Sequence, residues 1–106
     1  MPKYLIRGAY TPEGVRGVLQ EGGTGRRKAA EDVVAALGGT IEAMYFAFGD
    51  DDFYAIVDGT DNIAQAAGAL LVNASGAVNV RATVLLTPEE IDEAAKRTVP
   101  YRPPGH

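Results

Sequence analysis

The chain contains no cysteine, a single histidine and a single serine. Without cysteine there is no disulfide, and thiol nucleophiles and thiolate metal sites are excluded. The histidine is the final residue, His106, and the serine is Ser75, so neither a Ser-His-Asp arrangement nor a histidine-rich metal site can be assembled within one chain. Any chemistry falls to Arg, Lys, Tyr, Asp or Glu, and the expectation is a protein with no metal and no cofactor. Also missing is an apolar run near the roughly 20 residues of a membrane span. The opening MPKYLIRGAY lacks the long apolar stretch of a signal peptide, so a cytoplasmic location is expected. Charge of one sign is not in excess: 23% of residues are charged and the formal net charge is only −4, which argues against a nucleic-acid or anionic-membrane partner.

What is present suits one domain. The 106 residues, 46% of them apolar, supply one core, with residues 1–98 as the domain and residues 99–106 as a proline-rich, extended tail. The stretch YFAFGDDDFYAIVDG, residues 45–59, reads as two strands joined by a tight acidic turn. Gly49 is expected to take a positive φ there, with Asp50 and Asp51 in water and Asp52 bonded to amides near Thr11 or to the Tyr10 hydroxyl.

Before this hairpin, residues 3–10 alternate as a strand, and Thr11-Pro12-Glu13 opens a helix. Its glycines predict a break at residues 21–24, followed by a better helix over residues 25–37 that Gly38-Gly39 ends. The hairpin strands are expected over 40–48 and 52–58. Asp61 then caps a helix whose core stripe should be Ile63, Ala66, Ala67, Leu70 and Leu71. Residues 78–86 alternate as a fourth strand, and Thr87-Pro88-Glu89-Glu90 is a capping box opening a last, mostly exposed helix to about residue 97.

The order βαββαβ predicts an α+β, ferredoxin-like sandwich: an antiparallel sheet in the order 4-1-3-2, both core helices on one face, plus a C-terminal helix and tail. Strand parity assigns Leu5, Arg7, Ala9, Glu42, Met44, Phe46, Phe48, Arg81, Thr83 and Leu85 to the face without helices. So apolar a surface implies a partner, and at least a homodimer is expected. The end of the first strand, the acidic turn and residues 73–76 should meet at one edge of the sheet.

With these elements placed, the segment YTPEGVRGV from Tyr10, the basic pair before a helix ending in Leu-Gly-Gly, and the turn Gly49-x-x-Asp52 before a strand resemble the GYD domain family. Gly49 and Asp52 match the family's turn, and Asp51 stands where its tyrosine is expected. The resemblance implies a small, oligomer-prone, ferredoxin-like domain akin to dimeric α/β-barrel proteins, and it brings no established reaction.

Two other motifs weigh towards structure. The run Asp50-Asp51-Asp52 lacks the alternating spacing and distant glutamate of a calcium loop. Gly22-Gly23-Thr24-Gly25 with the basic Arg26-Arg27-Lys28 fits neither phosphate-loop pattern and reads as a linker with a solvated basic face. The informative group is Arg7, Glu42 and Arg81. One reading is an ion-pair network sealing an oligomer interface. The other is a small-molecule pocket between subunits, in which Arg7 or Arg81 binds an anionic or carbonyl oxygen, Glu42 acts as base, and Tyr10 and Phe46 form walls. Function divides accordingly, between an oligomeric binding or accessory protein and a cofactor-independent enzyme acting on a small aromatic or polyketide-like compound.

Overall fold

Alternation of side chains makes each strand two-faced, and the glycines and caps decide where the chain turns. In this computed structural model, which describes residues 2–106, the order is β1 (Lys3–Tyr10), α1 (Pro12–Ala36), β2 (Thr40–Phe46), β3 (Phe53–Asp58), α2 (Asn62–Ala74), β4 (Val78–Leu85) and α3 (Pro88–Ala95). All neighbouring strands are antiparallel, in the order β2-β3-β1-β4, as the ferredoxin-like reading requires.

Helix starts follow local chemistry. Thr11 Oγ1 accepts from the Gly14 amide at 3.3 Å and Asp61 Oδ1 from the Ala64 amide at 2.8 Å. At Thr87 the capping box is complete, since the Glu90 amide donates to Thr87 Oγ1 and the Thr87 amide to Glu90 Oε1. The break in α1 falls at Gly22, whose φ of 75° and ψ of 172° lie outside the helical region and suit glycine alone. Gly38, with φ 87°, ends the second half. Gly49, in contrast, has no positive φ: the connection spans residues 47–52, long enough to turn without it.

Two face assignments differ from the alternation read off the sequence. A β-bulge between Ile41 and Ala43 inserts one extra residue into β2, so parity reverses beyond Glu42. Met44 and Phe46 therefore turn to the helix side with Ala55 and Phe53, while Ala43 and Tyr45 take the open side. Phe48 lies beyond the strand and is fully exposed. In α2 the stripe Ile63, Leu70 and Leu71 faces outward, at 82%, 72% and 74% exposure, and Gly68, Ala69 and Val72 face the sheet. Polar anchors set this rotation: the Tyr4 hydroxyl donates to Asn62 Oδ1, Gln65 Nε2 donates to Thr60 Oγ1 at 3.2 Å, and Asn73 Oδ1 accepts from the Val80 amide at 2.8 Å. An apolar helix can bury either stripe, and these bonds choose one.

One end of the sheet gathers three connections, as the topology predicts. Thr11 N donates to Ala77 O at 3.0 Å, Tyr10 N to Asp52 Oδ2 at 2.7 Å, and Asp52 N to Gly8 O at 2.7 Å. Tyr4, Phe53, Ala55, Val57 and Val78 form the buried core beneath the helices.

Candidate ligand-binding site

The helices do not close fully on the sheet. Between them lies a cavity of about 310 Å³, floored by Ile6, Met44, Phe53, Ala55 and Val80 and roofed by Ala30, Val33, Val34 and Leu37 of α1 with Gly68, Ala69 and Val72 of α2. Small side chains make the room: Ala29, Ala30, Ala55, Gly68, Ala69 and Ala82 all border it. At Gly68 even a Cβ would come within 2.8 Å of Leu37 Cδ1, so α1 and α2 approach each other through that glycine.

Polar groups sit at the two ends of the cavity. Tyr10 closes β1 and Phe53 opens β3, so with Arg26 from the kink of α1 they mark the end nearest the acidic turn. The Tyr10 ring packs on Phe53 at 5.5 Å between centroids, and Phe46 meets Phe53 at 6.5 Å. Thr60 and Gln65, bonded to each other, mark the other end. Burial pushes the Tyr10 hydroxyl pKa up, the hydrogen bond from Arg26 opposing only part of the shift, so the phenol stays protonated through the neutral range. Burial also pulls on Arg26, but its bonds to Glu21 and Tyr10 outweigh this and hold the guanidinium charged.

The residues expected to share one pocket are divided between the two faces of the sheet. Tyr10 is at the cavity, and Phe46 packs on Phe53 on the same side. Arg7 and Arg81 are cross-strand partners in the β1–β4 register; Arg7 is not at the cavity, and Arg81 borders it. Glu42 is at the bulge on the sheet edge, bonded to Lys3. No network joins Arg7, Glu42 and Arg81: Arg81 instead donates to Asp51 Oδ1 and Oδ2 at 2.8 and 3.0 Å, and Arg7 has no ion-pair partner among the described residues. Asp51 is consequently not in water but only 4% exposed. It was missed because its partner lies 30 positions away, across a strand pairing that no local pattern shows. Arg26, in the basic run four residues after the break at Gly22, borders the cavity instead of belonging to a solvated face.

The family model for the GYD domain matches residues 4–95. The chain belongs to the GYD domain family. Comparisons with curated proteins and with solved structures return no match. The matched segment of this GYD domain holds all of the sheet except Lys3, both cavity-forming helices and all of α3. Among the described residues no helix is long and apolar enough to cross a membrane, and no group of three or more His, Asp or Glu side chains is placed to hold a metal ion.

Proposed function

We propose that this GYD domain is a dimeric small-molecule-binding protein that holds one largely apolar ligand between its helices and its sheet. The carrying observation is the cavity of about 310 Å³, apolar along its length with a charged Arg26 and a protonated Tyr10 at one end. A volume at the lower bound of small-molecule sites, with few polar groups at fixed places, suits a compact ring-bearing ligand with one oxygen function. Arg26 and the Tyr10 hydroxyl both donate, so that function is a carboxylate, sulfonate, enolate or carbonyl oxygen.

The lining includes no carboxylate and no histidine among the described residues. Tyr10 and Arg26 accordingly orient and neutralise a ligand, and proton abstraction in the cavity has no obvious base. Glu42, on the other side of the sheet, does not serve there. This favours binding over catalysis.

The dimer is the second part of the reading. Leu5, Tyr45, Tyr54, Ile56 and Leu85 share the open face, and covering each large apolar group is worth about 1.5–3 kcal/mol. A second copy of the chain covers it.

The cavity is tested with the fluorophore anilinonaphthalene sulfonate, an apolar ring system with one anionic group. Saturable fluorescence enhancement is expected, abolished by Ala30→Phe, which fills the roof, and weakened about tenfold or more by Arg26→Ala, the loss of one charge-assisted bond. Circular dichroism melts establish that both variants fold. Enhancement unaffected by Ala30→Phe in a folded protein would overturn the cavity as the site.

A further inference from the structure

Two arginines border the cavity and each is held by a carboxylate, but the two pairs are built differently. Arg81 donates twice to Asp51, at 2.8 and 3.0 Å, and that carboxylate is only 5% exposed. A buried acid with two charge-assisted bonds cannot leave without stranding its charge, so this pair is a fixed part of the fold. Arg26 donates once to Glu21 Oε2, from Nη1 at 3.2 Å, and the Glu21 side chain is 49% exposed. A single long bond to a half-solvated carboxylate contributes little and breaks readily.

Glycines make the second pair possible. Glu21 and Arg26 are five residues apart, and in an unbroken α-helix such side chains point about 140° away from each other. Gly22, at φ 75° and ψ 172°, breaks the helix between them. Gly25 leaves the space, since a Cβ there would come within 3.1 Å of Glu21 Cβ. Two glycines of the segment Gly22-Gly23-Thr24-Gly25 thus serve to bring an acid to Arg26. Arg26 and Tyr10 line the cavity and Glu21 does not, so the guanidinium stands between the cavity and a carboxylate open to water.

Resting on the ligand-binding reading above, we propose that Glu21 is the selectivity element of this site: it neutralises Arg26 while the cavity is empty and yields it to a ligand that brings its own carboxylate or sulfonate. A ligand whose ring is seated in the cavity holds its anion beside Arg26 at little further cost in ordering. Glu21, in contrast, has to be ordered at a half-solvated place on a flexible side chain. A carboxylate or sulfonate also offers two oxygens to the guanidinium fork, where Glu21 uses one. An uncharged carbonyl has no such advantage. It accepts a bond about half as strong as an anion does and brings no charge to replace that of Glu21, so Arg26 stays with its own acid. Among the oxygen functions that Arg26 and the Tyr10 hydroxyl can bind, the site therefore takes formal anions in preference to a carbonyl oxygen. The bound anion lies at the Arg26 end with the ring inward, since the remainder of the lining is largely apolar.

Two fluorophores that differ in one group test this: anilinonaphthalene sulfonate and N-phenyl-1-naphthylamine, the same ring system without the sulfonate. The affinity of each is measured for the wild-type chain, Glu21→Gln, Arg26→Ala and the double variant, with circular dichroism melts establishing that every variant folds. Glu21→Gln keeps the size of the side chain and removes its charge. It is expected to tighten the sulfonate about two- to fivefold, the range of one exposed ion pair, and to leave the uncharged probe unchanged. In the Arg26→Ala background most of that gain is expected to vanish, because the competition is for Arg26. A sulfonate bound more weakly by Glu21→Gln would show that Glu21 only holds Arg26 in position, and an unchanged affinity would show that it does not compete. Either result overturns the proposal and leaves the cavity standing. So does equal tightening of both probes, or a gain that persists in full without Arg26. A wild-type chain that binds neither probe would overturn the ligand site itself and the selectivity built on it.

Discussion

Three adjacent carboxylates at Asp50, Asp51 and Asp52 repel one another, and the fold assigns two of them separate partners. Asp52 accepts from the Tyr10 amide at 2.7 Å and ties the acidic turn to the end of β1. Asp51, almost wholly buried, takes both its bonds from Arg81, whose side chain is 59% exposed. Asp50 alone remains in water. The strand order suffices for Asp52, because pairing β3 with β1 brings the start of β3 beside the end of β1 although Tyr10 is 42 positions away. It does not suffice for Asp51, whose partner Arg81 lies 30 residues on, on β4, a strand that is not adjacent to β3 in the sheet. Both Asp52→Ala and Asp51→Asn are expected to lower stability by roughly 1–3 kcal/mol, the range for losing a charge-assisted bond, whereas Asp50→Asn leaves it unchanged. Urea denaturation of the three variants checks this, and an Asp51→Asn protein as stable as wild type would mean that the Arg81 pair contributes nothing.

At the level of elements, caps were the legible part and rotation was not. Thr11-Pro12, Asp61 and Thr87-Pro88 open helices where the sequence places them, because a cap acts through atoms three residues away. The capping box of α3 carries a pH dependence of definite sign. The Thr87 amide bonds the charged Glu90 carboxylate and holds its pKa below the ordinary value of 4.5. A carboxylate with a lowered folded-state pKa stabilises fully above its ordinary value and loses that contribution as the pH falls through the lowered one. Protection of the α3 amides against hydrogen exchange, taken relative to the intrinsic rate at each pH, is therefore expected to fall on acidification below that range, and Thr87→Ala is expected to lower it at neutral pH, the cap being worth about 1 kcal/mol. Because every residue of α3 is exposed, the global melting point should hardly move. The rotation of α2 is a different matter, since Ile63, Leu70 and Leu71 make as good a stripe as the one it buries.

The whole molecule measures 56 × 32 × 23 Å, with a radius of gyration of 16.9 Å, against about 13 Å for a compact chain of this size. The fully exposed α3 and tail account for part of that excess. Residues 99–106 lie outside any helix or strand and bury nothing, so a chain ending at residue 98 is expected to keep its urea midpoint and its fluorophore binding. A lowered midpoint would show that the tail straps part of the assembly.

The sequence by itself determined the order of elements, the sheet order, the caps, the break at Gly22 and the family, because each rests on periodicity or on residues within one turn of one another. Only the tertiary structure decided which faces those elements present. A single extra residue at the bulge of β2 sent Met44 and Phe46 to the helix side, and three polar anchors turned α2 over. Both effects come from partners distant in the chain, and together they separate Tyr10 and Arg26 at the cavity from Arg7 on the open face.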